Sequence, residues 1–525
     1  MSTGQVVARA TVVVMVMLTI SRILGLGRES AIAYRFGATH AADAYLVAYT
    51  IPNIFYAVAG IALATVIVPI FTEYVTQNRR EEAWRLCSLV TNALIVFTAA
   101  GAVVGMFLAP VIVGLLGAGF TPETFRLSVQ LTLIMLPSII FFSLAGLFMG
   151  ILNANNVFGL PAFSSAALNI VIIFGALFLG KYYGPYGLAA GVLGGAATMA
   201  LIQVPALRRV GFRYSFELNL KHPAVKRVLY LMLPLTLGLS VNQVYLMIDW
   251  VLASGLAEGS IASLNYANKL IQLPQSLFVL AVSTAIFPTL SRHIAEGHPA
   301  EMAHTLRRGV KVVFLLTVPA VAGLVILREP IVTLLFQRGL FDARATEMTA
   351  AALLFFAVGL VGHCLVMLVS RGFFAMQDMR TPVVVTIGTL TVKLGASVAL
   401  VGHLAHAGLA LGTSITALLN TVILVYLLHR RLPGLITSDL LRFCAGVLAA
   451  AGLMGVMVYG VDSVLGGFLP GSGLGLLLRV GIDILLGALA YFLAGILIRL
   501  DELKNMVSYG KRILAGRITG FWIRG

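Results

Sequence analysis

Residues 21–30 read SRILGLGRES and place Arg22, Arg28 and Glu29 around two glycines, directly after the apolar run TVVVMVMLTI that begins at Thr11. A charge at the centre of a bilayer costs about 2.5–3.5 kcal/mol on insertion scales, so a retained one faces a wet cavity or a partner. Arg22 and Glu29 are seven residues apart and share a helix face, whereas Arg28 points elsewhere unless the helix bends. Gly25 and Gly27 each weaken a helix by about 1 kcal/mol relative to alanine, so a bend is expected there. Opened backbone of that kind must line protein or water. Asp43, Asn53 beside Pro52, and Lys269 extend the set, and with Ser21 they define a basic pocket. Guanidinium forks take phosphate oxygens in pairs and an ammonium adds a point charge, so this pocket suits a phosphate or diphosphate. The alternative is that the cations pair with Glu29 and Asp43 as structural bridges.

A second polar set lies further on. Asp249 alone reads as a Na⁺ or H⁺ coupling site, but Lys393 carries a built-in ammonium, so the two are expected to form an internal ion pair. Arg371 is a further binding candidate that could equally snorkel to a membrane surface. His403 and His406 lack additional ligands, and Cys87, Cys364 and Cys444 show no C-x-x-C spacing, so neither a metal nor a disulfide framework is expected. G-x-x-x-x-G-K-[ST], H-E-x-x-H and G-x-S-x-G are all missing, which removes support for an ATPase or hydrolase. No cofactor is implied.

The elements that must position these residues follow from composition. The chain has 525 residues, 59% hydrophobic and 11% charged, with mean hydropathy +0.99. Soluble domains carry about 25% charged residues. Apolar runs near 20 residues recur throughout and define an all-α polytopic membrane protein. About 14 spans are predicted, at 6–36, 43–72, 87–116, 127–152, 160–180, 187–205, 227–253, 262–291, 309–335, 347–375, 382–402, 407–428, 439–461 and 474–498. The N-terminal apolar run is read as a retained first helix, because no small-residue cleavage site follows it. With both termini in the cytoplasm, the cytoplasmic segments hold about 23 Lys and Arg against about six opposite. The net charge of +16 is therefore topology and not a nucleic-acid patch.

Comparing the chain with itself reveals a repeat. ADAYLVAYTIPNIF (42–55) is similar to LNYANKLIQLPQSLF (264–278), IVPIFTEYVTQN (67–78) to IFPTLSRHIAEG (286–297), and LLGAGF (115–120) to LFQRGLF (335–341). FMGILNANNVFGLP (148–161) pairs with FFAMQDMRTP (373–382), and every offset is near 220 residues. An even number of spans separates the copies, which makes the repeat parallel, about a pseudo-two-fold axis along the membrane normal. The organisation expected is a six-helix lobe at 1–205, a cytoplasmic linker at 206–226 and a second six-helix lobe at 227–429. Two additional helices at 430–499 and a basic amphipathic tail at 500–525 complete it. Two facing lobes would enclose a cavity opened to alternate sides by rocking, the layout of a transporter.

SRILGLGRESAIAYRFGATHAADAYLVAYTIPNIF (21–55), LLFQRGLFDARATEMTAAAL (334–353) and RGFFAMQDMRTPV (371–383) resemble the bacterial lipid II flippase family, MurJ or MviN. The resemblance implies a fold of the multidrug/oligosaccharidyl-lipid/polysaccharide exporter superfamily. It implies a substrate too: the undecaprenyl-diphosphate-linked peptidoglycan precursor, moved from the inner to the outer leaflet of the inner membrane during cell-wall synthesis. Ser21, Arg22, Arg28 and Asp43 take the family's cavity positions, and Lys269 stands where the family usually has arginine. Tyr56 occupies a position often held by arginine, and Lys393 and Ser397 stand where members tend to carry Asn or Asp. Neighbouring cell-wall synthesis proteins are implied partners. No covalent chemistry is needed, so the chain is not expected to be an enzyme. The rival readings are a flippase for another polyprenyl-diphosphate oligosaccharide, of O-antigen type, a multidrug antiporter and a membrane glycosyltransferase. The antiporter would want acids in the first-lobe cavity, and the glycosyltransferase would want clustered carboxylates, which Asp43, Asp249 and Asp483 do not form.

Overall fold

Long apolar stretches with few helix breakers leave the backbone one way to satisfy its own hydrogen bonds in lipid, and the chain takes it. The structure is a computed structural model that describes residues 3–219, 222–500 and 502–503. Every regular element among the described residues is helical. The chain begins with α1 (Thr3–Phe36), α2 (His40–Phe55), α3 (Ile61–Thr76) and α4 (Arg80–Leu116), continuing to α5 (Pro122–Met135) and α6 (Ser138–Ala154). Next come α7 (Gly159–Phe174), α8 (Gly180–Tyr183), α9 (Pro185–Leu201), α10 (Val204–Arg209) and α11 (Pro223–Ala253). The remainder comprises α12 (Ser260–Pro274), α13 (Leu280–Ala295), α14 (Pro299–Ile326), α15 (Arg328–Phe336), α16 (Ala343–Ala375), α17 (Arg380–Arg431), α18 (Ser438–Phe468) and α19 (Gly473–Leu497).

Helix starts follow side-chain chemistry. The Thr121 hydroxyl accepts from the Thr124 amide ahead of Pro122, and the Asp342 carboxylate accepts from the Ala345 amide at 2.8 Å. Among the described residues nine helices are long and apolar enough to cross a membrane, or ten if the bent α5–α6 pair counts as one span. The fourteen expected spans are not reached by this count. One of the nine is α17, whose 52 residues hold Ala405 at φ 49°, ψ −133°. That residue divides α17 into segments matching expected spans eleven and twelve. The tail expected at 500–525 lies outside the described residues except for Leu500, Glu502 and Leu503.

The internal repeat is written into the backbone. Gly37, Asn78, Asn156, Gly184 and Gly211 have positive φ, and so do Gly259, Gly297, Gln377, Ala405 and Gly434, spaced 219 to 223 residues later in the same order. The π-helical turns Tyr56–Gly60 and Gln275–Val279 also correspond, and each follows a proline, Pro52 or Pro274, that opens the helical ladder. α5 and α6 span 122–154 where the second copy has the continuous α16 at 343–375. Pro137 accounts for the difference: the first copy bends by 45° there, and the second carries Val358.

The chain packs as two compact units, residues 1–262 with 338–341, and residues 263–337 with the described residues from 342 onward. In the first unit α3, α4 and α6 share a core of Leu63, Ile67, Phe71, Trp84, Leu86 and Ile151. In the second, α18 and α19 pack on α14 through Leu315, Val447, Met454 and Tyr491, whose hydroxyl donates to the Leu315 carbonyl at 2.9 Å. Close helix packing uses glycine at Gly146 and Gly150, where an added Cβ would collide with the α3 side of the core at Gly60 and Ala64. Gly101 meets nothing within 4 Å and Gly105 only the Leu136 side chain, so that sequence pair is not a backbone contact.

Candidate functional site

The first helix stays helical through Gly25 and Gly27, so the backbone does not open there. What the glycines provide is room. α1 packs along α7, and a Cβ at Gly25 would stand 3.7 Å from the Asn169 amide nitrogen. Asn169 donates through Nδ2 to the Ser21 carbonyl at 3.2 Å and accepts through Oδ1 from Arg28 Nη1 at 3.1 Å. Arg28 Nη2 also donates to Glu29 Oε1 at 2.6 Å, with side-chain exposures of 13% and 4%. Sequence spacing suggested an Arg22–Glu29 face; the acid pairs instead with its chain neighbour. Arg22 remains exposed on α1.

Aromatic residues complete this corner. The Arg28 guanidinium carbon lies 6.0 Å from the Tyr49 ring centroid, and Tyr49 stacks on Tyr45 at 5.7 Å. Two of the three Arg28 nitrogens are engaged, while Nε is buried without a hydrogen-bond partner. Buried donors are satisfied as a rule, so this one is an exception. Asn169, Tyr45 and Tyr49 were not picked out from sequence. A lone amide within the apolar run AALNIVIIF is the signal that could have found Asn169.

Asp43 is buried and fully used. Its Oδ2 accepts from the Gly259 amide at 2.7 Å and its Oδ1 from the Ala262 amide at 2.8 Å, capping α12. Gly259 has φ +85°, and a Cβ there would run into the Ala38 carbonyl. Beside this cap the Leu340 amide donates to the Tyr34 carbonyl at 3.0 Å. Asp43 thus ties loops together within the first unit. Asn53 is half-buried beside Pro52, three residues before the π-helical turn that starts at Tyr56. The Tyr56 ring, which opens that turn, lies 5.3 Å from Phe142.

The remaining candidates divide between the units. Asp249 is buried on α11 in the first unit, next to Trp250, whose indole N–H donates to Thr50 Oγ1 at 2.9 Å. In the second unit Lys269 is half-buried on α12, and the Arg371 guanidinium carbon lies 5.5 Å from the Phe287 ring centroid. Lys393 is only 1% exposed on α17, on the same buried face as Thr389 and Ser397, and acts electrostatically on His363 of α16. Among the described residues no cluster of His, Cys, Asp or Glu could hold a metal ion.

A multi-pass helical bundle with a parallel repeat and an arginine-bearing first helix is a transporter architecture. The same fold occurs in an inward-facing multidrug resistance MATE transporter of the MOP superfamily (TM-score 0.66, 16% identity, 80% of this chain and 98% of that one). The profile of the family described as lipid II flippase MurJ matches residues 32–478, and the chain belongs to that family. A lipid II flippase MurJ from Burkholderia cenocepacia is 34% identical over 452 residues, 84% of this chain and 88% of that protein. A solved lipid II flippase MurJ in an inward closed conformation matches with TM-score 0.79 and 26% identity over 93% of this chain and 99% of that one.

Proposed function

We propose that the protein moves lipid II, the polyprenyl-diphosphate-linked peptidoglycan precursor, from the inner to the outer leaflet of the bacterial inner membrane. The observation that carries this reading is the buried, unfilled Nε of Arg28 beside an exposed Arg22, in a chain of the lipid II flippase family. A diphosphate oxygen meets the Arg28 donor while Glu29 and Asn169 hold the guanidinium in place. Lys269 and Arg371 are further cations that the sequence reading assigns to the headgroup. The polyprenyl tail stays in lipid, because each CH₂ moved into water costs about 0.8 kcal/mol. Transport proceeds by alternating access across fourteen spans with both termini cytoplasmic, and makes or breaks no covalent bond.

Cell-wall synthesis proteins are the partners that receive the exported precursor. Binding to the purified protein in nanodiscs tests the phosphate contact. Undecaprenyl diphosphate should bind, undecaprenol should not, and Arg28→Ala should weaken the first by about tenfold or more, the range for a hydrogen bond to a charged group. Equal binding of both lipids would remove the diphosphate from the reading.

A further inference from the structure

The linker between α10 and α11 is pinned along α4. Residues 212–219 form no helix, and three side chains on one face of α4, Arg85, Ser88 and Asn92, hold them. Ser88 Oγ donates to the Arg213 carbonyl at 3.3 Å and accepts from the Ser215 amide at 3.1 Å. Asn92 Nδ2 donates to the carbonyls of Ser215 at 3.0 Å and Glu217 at 2.8 Å. The Tyr214 hydroxyl donates to Asn92 Oδ1, and Arg85 donates from Nε and Nη2 to the Glu217 carboxylate at 2.8 and 2.6 Å. The Arg85 guanidinium and these bonds hold the Glu217 carboxyl below its ordinary range.

The strap is amphipathic with the two-residue period of extended chain. Its odd positions, Arg213, Ser215 and Glu217, meet α4 through backbone or side chain; of the even positions Tyr214 reaches α4 only by its hydroxyl, and Phe216 and Leu218 expose apolar surface. Phe216 is 90% exposed, more than Phe107 at 81% on the apolar face of α4. Depth follows from α4 itself. Its 37 residues make about 55 Å, against a hydrocarbon core of about 30 Å. The first turns hold Arg80, Glu81, Glu82 and Arg85, and uninterrupted apolar sequence begins at Ala93, just past Asn92. The strap therefore lies at the boundary between headgroups and acyl chains. Its internally satisfied carbonyls are what permits irregular backbone there. Arg208, Arg209 and Arg213 are exposed beside it.

We propose that residues 212–219 are a lipid-binding strap: Phe216 and Leu218 insert into the inner leaflet, and Arg208, Arg209 and Arg213 hold anionic phospholipid headgroups. The leaflet assignment rests on the orientation given under Proposed function.

A spin label at Phe216→Cys, in a chain whose three native cysteines are alanine, reads the depth in vesicles. Oxygen should collide with it more than a water-soluble nickel chelate does, as at a Phe107→Cys control and unlike a Gln77→Cys loop control. Nickel access equal to or above oxygen access at 216 would overturn insertion. Hydrogen–deuterium exchange of the unmodified protein reads headgroup binding without any substitution. Exchange across 211–219 should slow in phosphatidylglycerol relative to phosphatidylcholine nanodiscs, and Arg208→Gln/Arg209→Gln/Arg213→Gln should abolish that difference. Identical exchange in both lipids overturns the anionic preference. Lipid II export is measured separately, so a strap that fails both tests leaves the flippase reading standing, and failed export leaves the strap result intact.

Discussion

At Arg28 an intramembrane charge is paired with its neighbour Glu29 and keeps one donor nitrogen unused. Glu29 and Asn169 take its two terminal nitrogens, and the third nitrogen stays open. Removing Asn169 deletes one positioning bond, worth about 0.5–1.5 kcal/mol. Asn169→Ala should therefore lower lipid II export by about threefold to tenfold, with the chain still folded and inserted, as measured by export per molecule of membrane protein. Asp378 illustrates a different role for a conserved-looking motif residue in QDMRTP. It accepts from the Thr381 hydroxyl at 2.6 Å, the Thr381 amide at 2.9 Å and the Arg380 amide at 3.0 Å, and pairs with Arg431. The Thr381 hydroxyl and amide, then Arg431, pull its carboxyl down to about 2 from 3.8. A depressed carboxylate stabilises the fold above its ordinary value, and that contribution is lost as pH falls through the folded value. The melting gap between wild type and Asp378→Asn should be full above pH 3.8 and shrink from there towards pH 2. Here the motif starts a helix.

At the scale of elements, the repeat identifies strain. Gly184 and Ala405 adopt nearly the same conformation, φ 56°, ψ −139° and φ 49°, ψ −133°, but only glycine does so without penalty. Ala405→Gly should stabilise the protein by about 1–3 kcal/mol and Gly184→Ala should destabilise it by a similar amount, read as melting temperatures in detergent. Helix packing gives a second contrast. Gly146→Ala forces α6 off α3 and should cost about 1–3 kcal/mol by overpacking, while Gly101→Ala should be neutral or stabilising. Sequence placed the helices well, because apolar runs of membrane length leave little choice. It did not foresee that α1 would stay helical through Gly25 and Gly27, since helix propensity counts the cost of glycine but not the packing against α7. The Arg28–Glu29 pair is the bridge that the alternative reading of the cations named, made between chain neighbours because long, flexible side chains can bring together groups that diverge on an ideal helix.

For the whole molecule, parallel repetition was legible from four paired segments, and the matching sequence of positive-φ residues carries it down to the backbone. The bend at Pro137 was not anticipated, since its counterpart Val358 sits in a segment with no paired motif. Family membership and the basic corner point to one activity, export of lipid II. Its most direct test is the amount of lipid II in the outer leaflet of cells in which this protein is the only flippase, comparing wild type with Arg28→Ala at equal membrane abundance. The account predicts that wild type sustains externalised lipid II, while Arg28→Ala reduces it by about tenfold or more, as loss of a hydrogen bond to a charged group would, and total lipid II accumulates. Wild-type cells that externalise none, or a variant that exports as well as wild type, would contradict it.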